Sequence, residues 1–146
     1  MIYLIMMFLP QRLKYGMQIV IYLSKNKLSR PIPAHKIANQ LNIPKEFAAK
    51  ILQELAGNGI LKSQKGKNGG FNLCVNPSEI KIEKVFLALG FVTNFNECVF
   101  ESKSVCEKEK CSFCNGWRMF INDFNFMIRN YSLDKIYEQS SYHVNG

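Results

Sequence analysis

The sequence predicts a mainly α fold that carries one small β-hairpin and ends in a long helix. Three observations lead there. Apolar residues recur at helical spacing in four short stretches before Gly90, and a glycine-rich basic segment, Lys65 to Gly70, separates two alternating stretches. A wide apolar stripe then runs from Phe113 to Tyr131.

In chain order, Leu13, Met17, Val20 and Ile21 stand at i, i+4, i+7 and i+8 and mark one face of a first helix ending near Lys25-Asn26-Lys27. Ser29-Arg30-Pro31-Ile32-Pro33 reads as a loop. Ala34, Ile37, Ala38 and Leu41 repeat over a helix of two turns, which Asn42-Ile43-Pro44 breaks. Pro44 suits the first position of the next helix. That third helix is expected to turn Phe47, Ile51, Leu52 and Leu55 inward and to stop at Gly57 and Gly59. Two short helices joined by a tight turn make a helix-turn-helix pattern. Ile60 to Gln64 follows as one strand, and Phe71, Leu73 and Val75 alternate inward on a second. Asn76-Pro77 closes this wing. Ile82, Val85, Phe86 and Leu89 share one face of a short helix with Gly90 at its end.

Residues 91–111 show no sustained period. From Ser112 the long helix begins: Trp117, Phe120, Phe124, Met127 and Tyr131 step by 3 and 4, and Phe113, Ile121 and Ile128 widen the stripe. A stripe that wide covers the helix's own domain and leaves apolar surface for a partner. A 20-residue helix spans about 30 Å, enough to link two subunits. The expected architecture is a winged helix-turn-helix with a long C-terminal dimerisation helix. Its divisions are a DNA-binding domain over 7–80, a cysteine-rich sensor loop and dimerisation helix over 81–136, and a flexible tail over 137–146.

Composition narrows the function. The 146 residues are 47% hydrophobic and 21% charged, which argues against wholesale disorder. No apolar run reaches the ~20 residues of a membrane span. The stretch Met1 to Leu9 stops at Pro10 with no basic residue before it, so it fails as a signal peptide. The expected location is the cytoplasm, with no membrane partner. The net charge of +8 is uneven: residues 1–75 carry 11 basic side chains against Glu46 and Glu54, whereas residues 76–146 carry eight basic and nine acidic ones. A basic half beside a neutral half points to a polyanion-binding module joined to something with another task.

The candidate DNA contacts follow from this order. Lys45, Glu46, Ala49, Lys50 and Gln53 fall on the outward face of the third helix, where a recognition helix meets base edges. His35 and Lys36, at the start of the second helix, can reach the phosphate backbone. Lys65, Lys67, Asn68 and Gly69 form the wing tip. The alternative is a protein-interaction module with a solvated basic face. Trp117, Phe120, Phe124 and Met127 are the candidate dimer interface.

Four of the five cysteines make the pattern Cys98-x7-Cys106-x4-Cys111-x2-Cys114. Four thiolates on a loop running into a helix can converge on one metal centre, and soft sulfur suits an iron–sulfur cluster or zinc. Cys74, in the wing strand, is assigned no role. Cys111 and Cys114 at a helix start also admit a thiol-redox enzyme, but that chemistry expects a preceding βαβ pattern, which is absent. No Ser/His/Asp set, phosphate-binding loop or carboxylate pair stands out, so the expectation is that the chain is not an enzyme.

The residues Tyr15-Gly16, Ile37-Ala38, Ile43-Pro44, Leu52-Gln53-Glu54-Leu55, Gly59-Ile60-Leu61-Lys62-Ser63 and Gly66-x-x-Gly69-Gly70-Phe71-x-Leu73 resemble the Rrf-two family of bacterial transcription regulators, with its IscR-, NsrR- and CymR-like members. The resemblance covers residues 7–136 and implies a homodimer of winged-helix domains bound to a double-stranded operator. It implies, in sensing members, a two-iron or four-iron cluster held by three cysteines, which match Cys98, Cys106 and Cys111. Cys114 stands where an IscR-like chain has a ligand histidine, and Lys14 stands where an NsrR-like chain has an acidic ligand. Cys114 is therefore the assigned fourth ligand. Lys65 replaces a wing arginine, and Glu46, Ala49 and Lys50 depart from the IscR contact set, so the operator sequence does not carry over. The family usually starts near Met7. The reading is a cytoplasmic dimeric regulator that senses iron–sulfur, redox or nitrosative status. The alternative is a constitutive regulator with structural zinc or no metal.

Overall fold

The computed structural model describes residues 9–26, 30–91 and 112–138. The first helix, α1 (Gln11–Ser24), starts directly after Pro10 and buries Leu13, Gly16, Ile19, Val20 and Leu23. Its inward face is broader than expected, and it is turned. Met17 and Ile21 are only half-buried, because the buried arc is centred on Gly16, Ile19, Val20 and Leu23 and leaves them at its edge.

Helix α2 (Ala34–Leu41) buries Ile37 and Ala38 and ends at Asn42, which adopts the left-handed conformation with φ 53°. Asparagine is one of the few side chains that tolerates it. The Ile43 amide then donates back to the Ala38 carbonyl at 2.9 Å. Helix α3 (Lys45–Gly57) follows Pro44, which stands just before the helix rather than in its first position. Ala48, Ile51, Leu52 and Leu55 are buried; Phe47, expected inward, is 55% exposed. Spacing accounts for this. The inner arc is centred on Ala48, Ile51, Leu52 and Leu55, and Phe47 lies about 100° away from Ala48.

The wing pairs β1 (Leu61–Gln64) antiparallel with β2 (Gly70–Leu73), Leu61 opposite Leu73 and Gln64 opposite Gly70. Ile60 is fully buried but lies outside the ladder; Phe71 is buried and Leu73 half-buried. Val75, expected inward, is 39% exposed, because β2 ends at Leu73. A further bridge joins Ile32 to Phe71, with amide-to-carbonyl bonds of 3.0 and 2.9 Å in the two directions. It fastens the base of the wing to the entry of α2.

A single 3-10 turn (Pro77–Glu79) is capped by Asn76, whose side chain accepts from the Ser78 amide at 3.1 Å. Helix α4 (Ile82–Ala88) buries Val85 and Phe86. The long helix α5 (Ser112–Asn130) buries Ile121, Phe124 and Ile128, and the one-turn α6 (Lys135–Glu138) follows. The chain after α5 is tied back to the start of α4: Lys81 bridges Ser132, Ile82 donates to the Tyr131 carbonyl at 3.0 Å, and Leu133 donates to the Ile80 carbonyl at 3.0 Å. Ile80 and Leu133 are fully buried there. Phe124 and Ile128 belong to the same continuous core as α1 to α4, so the C-terminal part of α5 is an integral wall of the domain that those helices form. Among the described residues no helix is long and apolar enough to cross a membrane.

Candidate nucleic-acid interface

The inner arc of α3 decides its outer one. With Ala48, Ile51, Leu52 and Leu55 committed to the core, Lys45, Glu46, Ala49, Lys50 and Gln53 are all exposed. His35 and Lys36 are exposed in the first turn of α2, after Pro33. Both helices therefore present the side chains expected of them. At the wing tip Lys65, Lys67 and Asn68 are exposed, whereas Gly69 is half-buried. The Gly69 amide donates to the Gly66 carbonyl at 3.0 Å, and a side chain at Gly69 would run into the Gln64 carbonyl. Gly69 thus shapes the tip and leaves its backbone open to close approach, while the two lysines supply charge. Lys62, exposed on β1, adds a cation that sequence reasoning left out.

Other features of the interface left no signal in the sequence. Arg12 of α1 donates Nη1 to the Leu89 carbonyl at 2.9 Å and forms an ion pair with Glu54 of α3. Asn58 donates to the carbonyls of Glu54 at 2.8 Å and Ala88 at 3.3 Å. These contacts fasten α3 to the end of α4, just before residues 92–111. They join elements far apart in sequence, and side-chain periodicity does not report such pairs.

Of the candidate metal ligands, Cys98, Cys106 and Cys111 lie outside the described residues. Cys114 is half-buried in the first turn of α5. The same stretch of α5 carries a shallow open hollow of about 440 Å³ lined by Ser112, Phe113, Gly116, Trp117 and Phe120, and Cys114 is not part of its lining. The rings of Trp117 and Phe120 stand 5.5 Å apart. Cys74 is exposed past the end of β2.

The four expected interface residues divide. Phe124 is buried in its own domain, 6.0 Å ring to ring from Phe86. Trp117 and Phe120 are half-buried, and Met127 is 37% exposed. The most exposed apolar side chains on α5 are Phe113, Met119 and Phe126, of which the sequence reading used only Phe113, and only to widen the stripe.

Known proteins share this arrangement. A chain of Aquifex aeolicus assigned as an HTH-type transcriptional regulator is 30% identical over 93 residues, 64% of either chain, so the present chain spans just under two thirds of that relative. IscR of Pectobacterium atrosepticum, an HTH-type transcriptional regulator, is 21% identical over 124 residues, covering 84% of this chain and 74% of that one. Among solved structures, CymR, described as the global cysteine regulator of B. subtilis, superposes with a TM-score of 0.74 at 21% identity over 88% of this chain and 94% of that one. Residues 9–139 match the Rrf2 family, described as iron-dependent transcriptional regulators. That match takes in the recognition helix, the wing and the long helix together: the chain belongs to the Rrf2 (Rrf-two) family of DNA-binding transcription regulators and not to a family of enzymes.

Proposed function

We propose that the chain is a homodimeric, cytoplasmic regulator that binds operator DNA through α3 and the wing and responds to iron–sulfur, redox or nitrosative status through a thiolate-ligated centre. One observation supports this most. The cysteine pattern from Cys98 to Cys114 runs directly into a helix whose other end is built into the DNA-binding core. A ligand-dependent change at the first turn of α5 therefore has a rigid path to the domain that holds α3.

The residues fit a sulfur-ligated group. Cys114 is half-buried in the first turn of α5, and the donor set is soft sulfur throughout. Cys98, Cys106 and Cys111 would be the obligatory ligands, with Cys114 the fourth. An iron–sulfur cluster held there supplies a link between thiolates that oxidation or nitrosation can break. The protein does the rest. Ligation through Cys111 and Cys114 would fix the start of α5, while Ile121, Phe124 and Ile128 anchor the helix in the core and the Arg12, Glu54 and Asn58 contacts tie the end of α4 to α3.

Phe113, Phe120, Met119, Phe126 and Met127 supply the apolar seam for a second copy. A symmetric dimer sets two recognition helices on half-sites about one DNA turn apart, so a small rotation of α5 against its partner alters binding. The compact Cys111-x2-Cys114 spacing favours a second reading, structural zinc in a constitutive regulator.

Cysteine variants purified without oxygen test the ligand set. Cys98→Ala, Cys106→Ala and Cys111→Ala are each expected to abolish visible absorption, and Cys114→Ala to leave a shifted centre that oxygen destroys faster. Cys114 essential with Cys98 dispensable would contradict the sensing model and favour the compact site.

A further inference from the structure

We infer that Phe47 reads the 5-methyl group of a thymine in the major groove; this rests on operator binding through α3. Phe47 is 55% exposed, although burying a phenylalanine stabilises a fold by about 1.5–3 kcal/mol. Among the described residues it is the one large apolar side chain exposed on α2 or α3. The ring is held rather than loose. Tyr15, itself packed against the core, meets it edge-on with centroids 6.4 Å apart and planes at 62°.

Its place is the first turn of the recognition helix, beside exposed Lys45 and Glu46, with Lys50 a neighbour at i+3. In helix-turn-helix docking these N-terminal residues of the recognition helix meet base edges. A phenyl ring neither donates nor accepts a hydrogen bond, so it cannot read the polar code of the groove. The apolar group that a base pair presents there is the thymine methyl. Tyr15 fixes the ring before DNA arrives, so little side-chain freedom is lost on contact.

Full-length protein prepared without oxygen is used to select duplexes from a random pool. In the best duplex each thymine is then replaced in turn by deoxyuridine, which removes the methyl and keeps the base pair. At one position per half-site the wild-type protein is expected to lose about fourfold in affinity, the equivalent of one buried carbon. Phe47→Ala should bind the thymine and deoxyuridine duplexes equally, and Phe47→Leu should keep part of the difference. If Phe47→Ala fails to fold, Phe47→Gln, a good helix former that removes the apolar ring, replaces it. No methyl effect at any thymine, or an undiminished effect in Phe47→Ala, overturns the inference while leaving operator binding intact. Failure of the wild-type protein to enrich any duplex overturns operator binding itself, and this inference with it.

Discussion

Replacing Gly70 with alanine tests how the wing is held to the helix-turn-helix. Gly70 has φ +153°, and a methyl there would run into the carbonyl of Ile32 and the nitrogen of Pro33. The obstacle is backbone, so no side chain can swing aside. The Ile32–Phe71 bridge must open, losing two hydrogen bonds worth about 1 kcal/mol each. The dihedral strain adds about 1–3 kcal/mol, and the stiffer unfolded chain returns about 0.4–1 kcal/mol. The net loss is about 3 kcal/mol, a large share of the ~5–15 kcal/mol that holds a typical domain. Gly66→Ala is the control: φ there is +106° and nothing lies within 4 Å, so only the dihedral cost applies. Urea unfolding followed by circular dichroism reads both, and affinity for duplex DNA should fall with Gly70→Ala as the wing base detaches. A Gly70→Ala midpoint equal to that of Gly66→Ala would show that the Ile32–Phe71 bridge does not hold the wing in this way.

The remaining expectations concern the DNA face, the dimer seam and acid stability. Lys65→Ala and Lys67→Ala should each weaken binding to all duplexes and lower the salt slope by about 1, whereas Lys50→Ala should change which sequence is preferred; competition assays across salt separate the two behaviours. Phe126 is 66% exposed, so Phe126→Asp should give a folded monomer in sedimentation, while Phe124→Asp should unfold the domain by placing a carboxylate in the core. A dimeric Phe126→Asp protein would remove that residue from the seam. The Ser132 hydroxyl, 2.5 Å from Asp134, holds the Asp134 carboxyl below its usual value of 3.8. The folded form therefore binds its proton less readily than the unfolded one. This contact adds stability above 3.8 that is lost as pH falls through the depressed value. A carbon chemical-shift titration should give a midpoint below 3.8, and Ser132→Ala should raise it.

Much of the fold was legible because its elements obey local periods. Ala34, Ile37, Ala38 and Leu41 mark α2 at the bounds the structure gives it. The errors arise where size was taken for burial. In α3 the small Ala48 holds the inner position and Phe47 stands outside, because periodicity scores a phenylalanine above an alanine. Val75 continued an alternation that the ladder had already left. Phe124 belonged to a stripe wide enough for two tasks, and only the packing of α5 on Phe86 shows that it serves its own domain. The Lys81–Ser132 bridge and the Arg12 contacts were invisible, since backbone pairing and lone polar contacts between distant segments impose no spacing. The exposed cations of α2, α3 and the wing were legible as exposed positions, because these follow once the core arc is known.

The proposed function couples a thiolate-held iron–sulfur centre to DNA binding. Iron and acid-labile sulfide counted in protein purified without oxygen, with operator affinity measured before and after the centre is removed, test that coupling. Brown protein with iron and sulfide in matching amounts is expected, and an operator affinity that changes when they are lost. Colourless protein holding zinc or no metal, with the same affinity throughout, would contradict it.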